Sequence, residues 1–179
     1  MISVLTTPRG SVTIRPTREL DAPAYRELWL QGLQAHPEAF GSDYETGAAR
    51  PLEFWQDRMR RGAGGEHGVT YVAEAAQELI GMTTLVRNEL LKTRHGGNIY
   101  GVYTRPDWRG AGVADALVEA CVEFARTLGI RLLKLGVVTT NASAIRLYLR
   151  HGFSVYGVEP EAIAHDGVAY DELLMVRRV

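Results

Sequence analysis

The most restrictive stretch of this chain lies between residues 98 and 128, where a strand pattern passes through a glycine-rich turn into a long amphipathic helix. Asn98 to Thr104 reads as a strand, stopped by Pro106, which cannot donate to a sheet ladder. Gly110 to Leu128 then sets Val113, Leu117, Cys121 and Ala125 on one stripe, with Asp115, Glu119, Glu123 and Arg126 facing away and Gly129 ending the helix. Between strand and helix lies Arg109-Gly110-Ala111-Gly112-Val113-Ala114. At such a junction free backbone N–H groups and the helix dipole favour a bound phosphate. A Cβ at Gly110 or Gly112 would hold the backbone off a diphosphate or forbid a turn with positive φ, while Arg109 adds a forked cationic donor. No Lys-Ser or Lys-Thr follows the glycines and a third glycine is missing, so neither a Walker loop nor a dinucleotide fingerprint fits. Taken alone, the pattern also describes a glycine-softened helix entry beside a surface arginine.

The remaining elements follow from periodicity. Ser11 to Arg15 reads as a short strand, and Arg18 to Gln34 as a helix carrying Leu20, Ala24, Leu28 and Leu33, with Pro23 in its first turn. His36 to Arg50 is irregular and holds Phe40, Tyr44 and Glu45; a second helix runs from Pro51 to Arg61 with Leu52, Trp55 and Met59 on one side. Val69 to Ala75 and Leu79 to Arg87 form an antiparallel hairpin. Arg131 to Thr139 is a strand, Asn141 to Arg150 a helix ended by Gly152, and Phe153 to Val158 and Val168 to Val179 are strands. A mixed α/β fold results. With 179 residues and no repeat or low-complexity tract, one domain spanning 1–179 is expected.

Charge excludes some functions. Twenty Lys plus Arg against twenty-one Asp plus Glu give a net charge of −1, so no sequence-wide field attracts nucleic acid or an anionic membrane. Arg109, Arg146 and Arg150 do not by themselves make a basic surface. No apolar run approaches the ~20 residues that span a bilayer, and Met1 to Gly10 lacks a signal-peptide stretch. The lone cysteine gives no sign of an oxidising compartment, and a cytoplasmic location is expected. His36, His67, His95, His151 and His165 show no paired ligand spacing, so no metal is expected.

Two segments resemble a known family. Val102-Tyr103-Thr104-Arg105-Pro106-Asp107-Trp108-Arg109-Gly110-Ala111-Gly112-Val113-Ala114 resembles the acetyl-CoA signature of the GNAT N-acetyltransferases, with Arg109, Gly112 and Ala114 in its marked places. Asn141 to Phe153 is similar to the family's other signature, Asn, two residues, Ala, two residues, Leu-Tyr, three residues, Gly-Phe. The resemblance implies a central, mostly antiparallel twisted sheet of about six to seven strands with about four flanking helices, and acetyl-CoA as co-substrate for a primary amine. It implies that amides from Gly110 to Ala114 take the pyrophosphate, that Val102, Tyr103 and Thr104 pair with the pantetheine arm, that Asn141 contacts the cofactor and that Tyr148 serves the departing sulfur. Homodimers are frequent in the family, though no residue here demonstrates one.

An unperturbed tyrosine (pKa ~10) would protonate a thiolate (~8.5) uphill by about 2 kcal/mol, so Tyr148 is read chiefly as a hydrogen-bond donor. A bulge near Gly101 and Val102 would free N–H groups for the carbonyl oxygen. Cys121 sits on the apolar stripe and belongs to the core. No acidic residue lies between Asn98 and Thr104, where many relatives carry a base. Glu45, Glu74, Asp171 and Glu172 are candidates, each ordinarily a solvated carboxylate, water-relayed deprotonation serves equally well, and the base stays unassigned. The stretch His36 to Glu45 resembles a segment of prokaryotic GNAT enzymes with varied acceptors, small molecules or peptides; Phe40, Tyr44 and Glu45 are expected to shape the acceptor pocket. A regulatory module that binds acyl-CoA without turnover is the rival reading, opposed by the intact Tyr148.

Overall fold

The computed structural model describes residues 2–179. Strands β1 (Ser3–Thr7), β2 (Gly10–Pro16), β3 (Gly68–Ala75), β4 (Glu78–Arg87), β5 (Gly96–Thr104), β6 (Leu132–Val138), β7 (Ser154–His165) and β8 (Val168–Arg178) make one sheet. Its order is β1-β2-β3-β4-β5-β6-β8-β7. Five helices accompany it: α1 (Ala22–Ala35), α2 (Tyr44–Ala49), α3 (Leu52–Arg61), α4 (Val113–Thr127) and α5 (Ala142–Arg150). The mixed α/β reading holds, with eight strands and five helices where six to seven and about four were expected.

The sheet separates two cores. On one face α4 buries Val113, Leu117, Cys121 and Ala125 against Val12, Ile14, Val69 and Tyr71; on the other, α1 and α3 bury Tyr25, Trp29, Trp55 and Met59 against Val72, Met82 and Tyr103. Neighbouring residues Tyr71 and Val72 therefore serve opposite cores, as the period of two along a strand requires. Trp29 and Trp55 are within 6.4 Å of each other between ring centroids, so this aromatic layer fixes how α1 and α3 lie together.

Every strand pair is antiparallel except β5 with β6, and that parallel pair lasts only from Gly96↔Leu132 to Asn98↔Lys134. Beyond it β6 pairs with β8 alone, from Leu132↔Arg178 to Val138↔Glu172. The two strands thus part in a V, and the Ile99–Thr104 edge of β5 is left without a strand on the β6 side.

Several boundaries differ from the sequence reading. Leu20 is 92% exposed and Ala24 is exposed, because a 3-10 turn at Glu19–Asp21 delays the helix; Ala22, Tyr25, Leu28 and Leu33 are its buried stripe. Asp21 pins that turn by accepting the Arg18 N–H at 2.7 Å and Arg15 Nη1 at 2.7 Å. α4 begins at Val113 rather than Gly110, since Gly110 (φ 76°) and Gly112 (φ 81°) adopt left-handed backbone. The irregular stretch contains α2, capped by Asp43, whose carboxylate accepts the Thr46 N–H at 2.7 Å. β1 was not foreseen, and β7 runs on past Val158 to His165. Among the described residues no helix is long and apolar enough to cross a membrane.

Candidate active site

The turn before α4 forms one wall of a groove of ≈ 620 Å³ lined by Val102, Tyr103, Thr104, Arg109, Gly110, Gly112, Val113, Ala114, Asn141 and Tyr148. The first bond of the helical ladder runs from the Ala116 N–H to the Gly112 carbonyl at 3.0 Å, so the amides of Gly112, Val113, Ala114 and Asp115 lie outside it. Together with the dipole of a fifteen-residue helix they form a concentrated donor array. Thr104 adds a buried hydroxyl with no partner in the protein, on the groove wall. An orphaned buried hydroxyl normally costs free energy unless something completes it. Arg109 reaches across the mouth: its Nη2 is 2.8 Å from His36 Nε2.

On the far side of β5 the V holds a second cavity of ≈ 550 Å³, and Val102, Tyr103, Asn141, Ala144 and Tyr148 line both spaces. Where they meet, Gly101 and Val102 of β5 stand opposite the single residue Thr83 of β4, a bulge, with Gly101 at φ 61°. A side chain at Gly101 would also press on Trp29, 3.0 Å from Cζ3. Backbone groups at this step are released from the β4 ladder at the neck between the two spaces.

Tyr148 comes from α5, which Asn141 caps by accepting the Ala144 N–H at 3.1 Å. Its ring is 6% exposed and packs edge-on against Phe153, centroids 6.0 Å apart. Burial, with lesser contributions from Cys121 and Glu172, raises the phenol's pKa, so it stays protonated and available as a donor. Cys121 is fully buried and its thiol is pushed up to about 12 by burial, which rules it out as a nucleophile near neutrality.

Of the residues singled out for the cofactor, all but Ala111 line the groove; the Ala111 side chain packs on the α4 core. Of the acceptor residues, Phe40 lines the cavity, whereas Tyr44 packs against the α1–α3 core and Glu45 is exposed in the first turn of α2. Arg58, which pattern reading did not single out, lines the cavity, as does Glu172, which that reading gave as one of four possible bases. Arg58 stacks 4.2 Å from the centre of the Trp29 ring and, among the described residues, joins no ion pair, while Arg60 and Arg61 pair with Glu19 and Asp57. Helical spacing in α3 puts it three residues after buried Trp55, on the same face, which is the sequence signal for its inward position. Among the described residues no group of three or more His, Cys, Asp or Glu could hold a metal ion.

The acetyltransferase (GNAT) family model matches residues 16–153, the stretch that contains the turn before α4 and the two parting strands. The chain belongs to the GNAT acetyltransferase family. This GNAT enzyme is 24% identical over 151 residues to the L-methionine sulfoximine/L-methionine sulfone acetyltransferase of Pseudomonas aeruginosa, covering 84% of the chain and 85% of the relative. It is 24% identical over 170 residues to the L-amino acid N-acetyltransferase AaaT of Escherichia coli, covering 94% and 98%. Its fold superposes with a TM-score of 0.75 on YncA, a putative acetyltransferase of Salmonella typhimurium solved with its cofactor acetyl-CoA, at 22% identity and 93% coverage of both chains. It is an N-acetyltransferase.

Proposed function

We propose that this enzyme transfers the acetyl group of acetyl-CoA to the amino group of a small amino-acid-like acceptor by direct attack in a ternary complex. One observation carries the reading: the groove at the start of α4 and the cleft of the V are separate spaces that meet at Tyr148, which lines both. A donor for a leaving sulfur therefore stands between a diphosphate cradle and an acceptor chamber.

Acetyl-CoA supplies, when bound, an acetyl thioester open to attack by an amine. The free amides of Gly112, Val113 and Ala114, with Arg109, hold the pyrophosphate; the orphaned Thr104 hydroxyl gives the groove wall a polar contact; and the open edge of β5 pairs with the pantetheine amides as an added strand would. The backbone N–H groups of the Gly101–Val102 bulge face charge developing on the carbonyl oxygen, and Tyr148 donates to the sulfur as it takes up charge. Phe40 and Trp29 close the cavity around the acceptor, and Arg58, free of carboxylate partners, suits an acceptor carboxylate. The names of the two relatives support a small amino-acid-like acceptor.

The test is thiol release from acetyl-CoA across a panel pairing α-amino acids with the corresponding decarboxylated amines and with N-terminal peptides. We expect turnover with amino acids, and a KM for them that rises at least about tenfold in Arg58→Met while the decarboxylated amines are unaffected, one charge-assisted hydrogen bond being worth about 1.5–3 kcal/mol. Tight acetyl-CoA binding with no transfer to any amine would overturn the reading in favour of a regulatory acyl-CoA module.

A further inference from the structure

Glu172 is the only carboxylate among the residues that line the acceptor cavity. Its seat is made by a missing side chain. Glu172 pairs with Val138 across β6 and β8, and Gly136 pairs with Leu174, so Gly136 and Glu172 are diagonal neighbours on one face of the sheet. A methyl group at Gly136 would overlap Glu172 Oε2 and lie 2.9 Å from its carboxyl carbon. The carboxylate thus lies flat over a glycine in the middle of β6, on the wall of the V that also holds Tyr148. The other carboxylates that sequence reading set beside it lie elsewhere. Glu74 is 2.6 Å from Arg15 Nε, Asp171 accepts the Glu161 N–H at 2.8 Å, and Glu45 is exposed on α2 outside the cavity. Of these four, Glu172 alone lines the cavity, and among the described residues it has neither a cation nor an N–H donor of its own.

We propose that the Glu172 carboxylate, seated over Gly136, receives the acceptor's ammonium group and removes its first proton. The inference rests on the acetyl-transfer reading above. In the overall exchange the ammonium loses two protons, the N–C bond forms and the C–S bond breaks with its electron pair on sulfur. One proton ends on the thiol, and the other passes from Glu172 to solvent through the open V. Glu159 of β7, paired with Glu172, and Tyr148 of α5 are its titratable neighbours, and His36, Arg58, Tyr100 and Tyr103 are the other charged or titratable residues lining the cavity. Burial first, and Glu159 second, raise the Glu172 pKa, which brings a carboxylate closer to the working range of a base at neutral pH.

Three variants test this: Glu172→Gln, Gly136→Ala and the double variant. The measurement is kcat/KM from about pH 5 to about pH 9 with the best amine of the panel, beside acetyl-CoA affinity by calorimetry. Wild-type kcat/KM should climb with pH through an acid limb. Glu172→Gln should lower it about 100-fold or more and remove that limb, with acetyl-CoA affinity held. Gly136→Ala, which leaves the carboxylate in the chain but displaces it, should also lower kcat/KM, and the double variant should be no worse than Glu172→Gln alone, because both changes remove one interaction. An active wild type whose Glu172→Gln variant keeps the same rate and pH profile, or losses that multiply in the double variant, would overturn the inference and leave acetyl transfer standing. A wild type inactive with every amine would overturn both.

Discussion

Replacing Tyr148 by Phe removes one oxygen atom from the neck between the two spaces and nothing else. The ring stays in place, because its edge-on packing against Phe153, 6.0 Å between centroids, and its burial do not depend on the hydroxyl. The phenol's raised pKa makes it a poorer acid than free tyrosine, so full proton transfer to a thiolate is more uphill than the ~2 kcal/mol of the unperturbed pair, and its contribution is a hydrogen bond to a charged sulfur. Such a bond is worth about 1.5–3 kcal/mol. Because it is made only as charge appears, the loss falls on turnover: kcat should drop about 10- to 150-fold, while acetyl-CoA affinity changes by less than about twofold. The assay is thiol release at saturating acceptor, paired with calorimetric binding of acetyl-CoA. A kcat within about twofold of wild type, or an affinity loss as large as the loss of kcat, would refute the assignment of Tyr148 to the sulfur.

Gly112→Leu tests the left-handed turn before α4. Its Cβ would meet nothing closer than Leu5 Cδ2 at 3.9 Å, so the chain should fold, with the positive φ costing about 1–2 kcal/mol, or roughly 2–8 °C in melting temperature. Acetyl-CoA affinity should fall at least about 100-fold by calorimetry, since a side chain disfavours the left-handed turn that presents the amides and even two lost charge-assisted hydrogen bonds cost about 3 kcal/mol; unchanged affinity would contradict the placement of the diphosphate. Stability should also show an acid limb from Asp21. Burial alone would raise its pKa, but hydrogen bonds from the Arg15 side chain and the Arg18 amide outweigh that and hold it below the usual carboxylate range. A depressed folded pKa gives stability that is fully present above the unfolded value near ~3.9 and is lost as pH falls through the folded value. Denaturant unfolding of Asp21→Asn should therefore lose stability at neutral pH and show a shallower decline below about pH 4; an acid limb as steep as wild type would refute it.

Much of the site was readable because its chemistry is local. The glycines before α4, the asparagine that caps α5 and the tyrosine seven residues later each act through backbone conformation or helical spacing, and both are properties of short windows. The bulge at Gly101 is local in the same sense. Boundaries were less legible where a long-range partner sets them. Leu20 fits the helical period but is exposed, because Arg15, five residues upstream on β2, holds Asp21 in a tight turn that delays α1. The twelve residues of β7 persist past Val158 because β8 pairs with them beyond the bulge at Glu161.

The acceptor chamber is a different case. No periodicity says that Arg58 of α3 stacks on Trp29 of α1, nor that Glu172 of β8 lies over Gly136 of β6. Pattern reading treated the four candidate carboxylates as equals, and Tyr44 and Glu45 as pocket residues, since it knows composition and not which elements adjoin. The sequence alone determined the groove proposed for acetyl-CoA, whose donors are backbone groups exposed by a particular local turn. Only the tertiary structure decided the acceptor half, because a cavity is bounded by side chains from strands and helices far apart in the chain. Which of them face inward depends on where β5 and β6 part company after Asn98.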